Sequence, residues 1–266
     1  MHAPSLAAPR HNPWTVAALG VLAAAGSDVV HELLGHGVAV LLSPSVRALS
    51  WSTVALQTTA MSRPVAAAGS IANVLAALLA AALLRRRAFG PGALALWLFA
   101  TLNALNGTGY LAYSGAIDYG DWAVVIAPLA PHAAWRAALV VAGLLLYGGT
   151  IAWSAALLSR WTRAGAVRRE DVPALVLPAY LAGGLLLVAG AALNPIGVQL
   201  VLLSGVSAGF AAPAGMLLVP RLVRGADDAS APYGTTLAFA PRWIVAALLA
   251  AAWFIGILGR GITFTG

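Results

Sequence analysis

The chain has 266 residues, 61% of them hydrophobic and only 9% charged, whereas a soluble domain of this size carries about a quarter charged residues; an integral membrane protein is therefore expected. The formal charge of +7 sets 15 basic residues, every one an arginine, against 8 acidic ones, but the arginines lie between apolar segments and read as topology signals rather than nucleic-acid contacts. Cysteine is absent, which excludes disulfides, thiolate ligands and cysteine nucleophiles.

The N-terminal stretch MHAPSLAAPRHNPW lacks a cleavable signal pattern, because the apolar run behind it is too long. Seven apolar segments follow, at 14–42, 64–84, 92–115, 134–159, 173–193, 196–219 and 243–262. Each is near or above the roughly 20 residues that a spanning helix needs. The first is unusually long, so it is tilted, bent or partly outside the bilayer. Trp14, Trp135, Trp161 and Trp243 stand at segment ends, as interfacial aromatics do. Ala192 to Gln199 (ALNPIGVQ) reads as a tight turn broken at Asn194-Pro195, and VRGADDASAPYGTT as an exposed loop before the last span.

Between the first two segments, Val46 to Gln57 alternates loosely and is rich in Ser, Thr and Val. A short strand pair at the membrane surface is expected there. The fold class read from the sequence is therefore an all-α polytopic membrane protein of about seven transmembrane helices with that small hairpin. It forms a single integral membrane domain over 1–266: the segments within 14–125, then further helices at 134–262. Eleven arginines fall on the N-terminal side of this arrangement and four on the other, which favours a cytoplasmic N-terminus. The alanine- and arginine-rich, lysine-free composition points to a high-GC genome, and so to a bacterial inner membrane.

The first segment holds four ionisable residues, Asp28, His31, Glu32 and His36. Each costs on the order of 2.5–3.5 kcal/mol at a helix centre, so the four would cost roughly 10 kcal/mol if unpaired. A bound cation would compensate, since imidazole and carboxylate are metal ligands; mutual pairing or a proton path would do so too. The spacing decides the geometry. On a regular helix, residues five apart point about 140° away from one another, so His31 and His36 could not share one ion. A π-helical turn, eased by Gly35, lines them up, and that arrangement is the one expected. On a straight helix, Glu32 and His36 would face the site instead. A catalytic zinc commonly takes three protein ligands, and Asp118, Asp121 and His132 are candidates for the third. The plain alternative for both aspartates is a solvated Gly-Asp turn.

These residues resemble the site-2 protease family of intramembrane zinc metalloproteases. HELLGHGVAV is similar to the family's His-Glu-x-x-His helix with one residue inserted. Val65 to Leu79 (VAAAGSIANVLAALL) resembles its Ala-Gly-Pro-x-x-Asn helix, with Ser70 replacing Pro and Asn73 retained. The Ser/Thr-rich segment lies where the family has a membrane-embedded strand pair. LNALNGTGYLAYSGAIDYGDW is similar, more loosely, to a later helix bearing a ligand Asp. The resemblance implies Zn2+ held by His31, His36 and Asp121 (Asp118 as the alternative), with Glu32 as general base. It implies Asn73 as a substrate-positioning residue, and Asp28 stands beside the ligands as a supporting group. The implied partners are a transmembrane protein substrate and the lipid bilayer, with no nucleic acid. It also implies a site opening toward the cytoplasm, opposite to the arginine count. The competing classes are a zinc-dependent amidase or esterase of membrane lipids, an ion or proton conductor, and a non-catalytic scaffold.

Overall fold

The computed structural model describes residues 11–195, 197, 199, 201–225 and 235–264. Arg10 and most of the loop expected before the last span (226–234) lie outside the described residues. Helix α1 spans Pro13–Leu41. It starts where the Asn12 side chain accepts the Thr15 backbone N–H and proline sits in the first turn, both ordinary helix-initiating devices. A hairpin follows, β1 Ala48–Trp51 and β2 Leu56–Thr58, paired antiparallel. Then come α2 Arg63–Leu84, α3 Pro91–Ile117, the short α4 Asp121–Ile126, α5 His132–Arg163, α6 Val172–Ala192, α7 Val201–Leu222 and α8 Pro241–Leu258. A two-residue strand, β3 Ile262–Thr263, closes the chain onto β1, giving the sheet order β2-β1-β3.

Six of these helices, α1, α2, α5, α6, α7 and α8, are long and apolar enough to cross a membrane. About seven were expected; α3 has 27 residues but is not among the six. It packs along α1, α2 and α5, and its buried Thr101 and Asn103 are covered by protein. A helix surrounded by others can hold polar side chains that a lipid-facing helix cannot. The lipid-type faces lie elsewhere, as Leu75, Leu79, Leu145, Leu185, Leu248 and Leu249 are all exposed.

Tertiary hydrogen bonds fix the relative directions of α1 and α8 and of α3 and α5. Asn12 N–H donates to the Leu237 carbonyl, and the Thr15 hydroxyl to that of Ala238, so α1 and α8 begin at the same end. The β1–β3 pairing puts their C-termini together at the other end. Trp97 Nε1 donates to Ser154 O and Arg136 Nε to Gly115 O, so α3 and α5 run antiparallel. The guanidinium of Arg160 bonds the Arg85 carbonyl, joining the ends of α2 and α5. The C-terminal strand β3 is a departure from the sequence expectation, because the last apolar segment was placed at 243–262.

Two spans are irregular. In α1 the residues Val30–Gly37 form a π-helical turn. In α7 a π-helical stretch, Val201–Ala211, runs into a 3-10 stretch, Ala212–Leu218. The tyrosines Tyr113, Tyr147 and Tyr180 donate their hydroxyls to the α7 carbonyls of Leu203, Ala212 and Phe210. Carbonyls released from regular helix pairing are thereby satisfied by protein, as irregular backbone at membrane depth requires.

Candidate metal centre

The π-helical turn carries His31, Glu32 and His36. The wider turn brings the two imidazoles edge to face, with ring centroids 4.8 Å apart. The turn exists where α1 and α2 touch backbone to backbone. A Cβ on Gly35 would lie 2.5 Å from Gly69 Cα, so only a side-chain-free residue fits there, the small-residue contact typical of membrane helices. A second carboxylate arrives from the start of α4. Asp118 ends α3 in a left-handed conformation (φ 55°), and Gly120 at φ 83° turns the chain so that Asp121 enters the site. A side chain at Gly120 would also strike the Tyr110 hydroxyl.

The donor atoms converge. Asp121 Oδ2 lies 3.1 Å from His31 Nε2 and 3.2 Å from His36 Nε2. The far nitrogens fix the protonation pattern. His36 Nδ1 is 2.7 Å from the Val65 carbonyl, which can only accept. His31 Nδ1 is 2.7 Å from Asn73 Oδ1, and the Asn73 amide nitrogen is itself committed to Ser27 O and Asn103 Oδ1. Both histidines therefore carry hydrogen on Nδ1, the arrangement usual for metal-bound imidazole. Neutral rings then present two Nε2 lone pairs and a carboxylate oxygen to one another, which repel unless a cation sits between them.

Two imidazolium protons or one metal ion would relieve that repulsion. Adjacent imidazoliums in a buried site repel each other, whereas tetrahedral zinc bonds of about 2.0–2.1 Å put ligand atoms roughly 3.3 Å apart. The separations of 3.1 and 3.2 Å are compatible with ligands of one ion, and the donor set of two imidazoles and a carboxylate fits zinc. The nearest donor atoms of His31, Glu32 and His36 also lie within 4.8 Å of one another. Glu32 is buried, and its Oε2 accepts the Leu56 N–H of β2 at 2.7 Å, so the hairpin fixes this carboxylate at the edge of the cluster.

The remaining residues singled out by their spacing and type lie apart from the cluster or beside it. Asp118 pairs with His132 at 3.0 Å and with Arg136 at 3.7 Å on an exposed face, so neither Asp118 nor His132 joins it. Asn73 is fully buried and committed to His31, Ser27 and Asn103; in this arrangement it orients a histidine rather than a substrate. Asp28 lies one helical turn before His31 and has one buried carboxylate oxygen without a hydrogen-bond partner.

Several contributors leave little mark in the sequence. Gly69 is the tightest of them, since a Cβ there would stand 2.6 Å from His31 Nε2 and 2.7 Å from His36 Nε2. Its only trace in the sequence is the Ala-Gly step before Ser70. Tyr110 stacks at 5.6 Å from His31, and Trp122 Nε1 donates to Ser70. A cavity of about 650 Å³ leads away from His31 and Glu32 between α3, α5, α6 and α7, so the helices beyond residue 134 form part of its wall. Comparison with protein-family models, with curated proteins and with solved structures returns no match.

Proposed function

We propose that the chain is an intramembrane zinc metallopeptidase of the site-2 protease type, cutting membrane-embedded or membrane-proximal peptide bonds in a bacterial cell membrane. The observation that carries this reading is the convergence of His31 Nε2, His36 Nε2 and Asp121 Oδ2 at 3.1–3.2 Å, with both Nδ1 atoms bonded away from the cluster. Bound by these three, zinc would act as a Lewis acid toward a carbonyl and acidify water. Glu32 takes the proton of the attacking water and returns it to the leaving amine. The Leu56 N–H holds one Glu32 oxygen and leaves the other for that transfer. Asn73 and Val65 hold the two rings in the tautomer that leaves Nε2 for the ion. The apolar walls keep bulk water from the carboxylate.

A second reading, a zinc-dependent amidase or esterase acting on membrane lipid, shares these residues. The size of the cavity favours it, since 650 Å³ is ample for a drug-sized ligand. Both readings are tested with Glu32→Gln in proteoliposomes offered a transmembrane peptide or an acyl-amide lipid. Loss of about 10²–10⁴-fold in turnover with zinc retained supports Glu32 as base. Unchanged turnover refutes it, and the substrate consumed by the wild type separates the two readings.

A further inference from the structure

Asp28 is not used by the hydrolytic scheme. It lines the cavity on the N-terminal side of His31, where no arginine is present, and it takes part in no ion pair among the described residues. Its Oδ2 is buried without a hydrogen-bond partner, and so is Oδ1 of Asn106 on the facing helix. Asn106 has its amide nitrogen on Ser27 Oγ at 3.2 Å, which leaves its carbonyl oxygen as the free end. The hydroxyls of Tyr113 and Tyr147 are spent on the backbone of α7 and do not answer these acceptors.

Two buried acceptors, neither with a hydrogen-bond partner, form an arrangement that a donor-rich ligand completes. Four tyrosine rings, Tyr110, Tyr113, Tyr119 and Tyr147, line the same cavity, and aromatic faces attract ammonium ions. The rest of the wall is mostly apolar, with Leu144, Leu187 and Leu203 among its residues. The chain itself contains no lysine, so such a group must come from outside.

We propose that this cavity binds a primary ammonium carried on an apolar chain, the ammonium held by Asp28 and Asn106 and the chain lying along the apolar wall. Its extension to the substrate, an apolar segment with a lysine beside the cleaved bond, rests on the hydrolytic reading; the binding site does not. The ammonium has two sources, a lysine side chain or the head group of an amine lipid.

The test is calorimetric titration of the full chain in phosphatidylcholine nanodiscs with hexylammonium and with hexanol, before and after zinc removal by chelator. At least tenfold tighter binding of hexylammonium, with and without zinc, is expected. Asp28→Asn, which keeps the side-chain shape, removes that preference. Equal binding of amine and alcohol by the wild type overturns the proposal without any variant. So does a preference that persists in Asp28→Asn, or one that zinc abolishes, which would place the amine on Glu32 and the histidines. Retention of the preference in a chain that binds no zinc leaves the ammonium site standing while the metallopeptidase reading fails. Repeating the titration in phosphatidylethanolamine nanodiscs assigns the source: weakened hexylammonium binding indicates the lipid, and unchanged binding a lysine side chain.

Discussion

Replacing Gly69 by alanine places a methyl group on the metal-facing edge of both histidines. The new carbon would lie 2.6 Å from His31 Nε2 and 2.7 Å from His36 Nε2. Non-bonded heavy atoms settle at about 3.5 Å or more, so the two nitrogens must retreat by roughly 0.8 Å. Metal–ligand distances tolerate only about 0.2 Å. The retreat also pulls His31 Nδ1 from Asn73 and His36 Nδ1 from the Val65 carbonyl, both now at 2.7 Å. We therefore expect Gly69→Ala to lower zinc affinity by at least about 10–100-fold, the effect typical of displaced ligand-orienting contacts. Gly149→Ala on α5 is the control, since nothing lies within 4 Å of its new Cβ. Zinc per chain by mass spectrometry, with chelator competition for affinity, is the assay, and thermal unfolding reports the fold. A Gly69→Ala protein that binds zinc as tightly as wild type would refute the placement of the ion between the two Nε2 atoms.

Asp121→Asn should weaken zinc binding severely while Asp118→Asn leaves it intact, and chelator competition separates them; equal effects would return Asp118 to the site. Asn73→Ala removes the acceptor of His31 Nδ1 and should reduce zinc affinity by about 10–100-fold, still reaching full stoichiometry at saturating zinc. Protons compete for the imidazole nitrogens, so metal should be released on acidification. Where both rings are protonated in the metal-free protein, two neutral histidine ligands make zinc affinity fall by up to about a hundredfold per pH unit, and a pH series of equilibrium dialysis checks the slope. The cysteine-free chain suits single-cysteine labelling: Arg86→Cys should react from the cytoplasmic side and Thr59→Cys from the other, as the arginine distribution directs. The reverse pattern would turn the metal centre toward the cytoplasm.

The π-helical turn was legible because two histidines five apart, with a glycine between, cannot share an ion on a regular helix. The hairpin was legible from a Ser/Thr/Val stretch too polar to span. The resemblance put Asp121 ahead of Asp118, yet only the left-handed turn at Asp118 and Gly120 separates it from its neighbour. The rest depends on contacts between distant segments. The role of Gly69 comes from the approach of α2 to α1, which no local pattern encodes. Strand β3 is two residues long, too short to carry an alternation signal. The central position of α3 follows from packing, and its apolar run resembles a lipid-facing span until the neighbours of Asn103 and Thr101 are seen. The unpartnered oxygens of Asp28 and Asn106 likewise exist only once four helices surround one cavity.

Every role proposed for the metal centre depends on His31, His36 and Asp121 holding one zinc ion. X-ray absorption at the zinc edge, on protein purified without chelators, reads that ligand set itself. One zinc per chain is expected, with nitrogen and oxygen neighbours at about 2.0–2.1 Å and no sulfur, and it should be lost in a His31→Ala/His36→Ala double variant. A wild-type protein that stays metal-free when offered zinc, or whose bound zinc survives that double variant, would overturn the assignment.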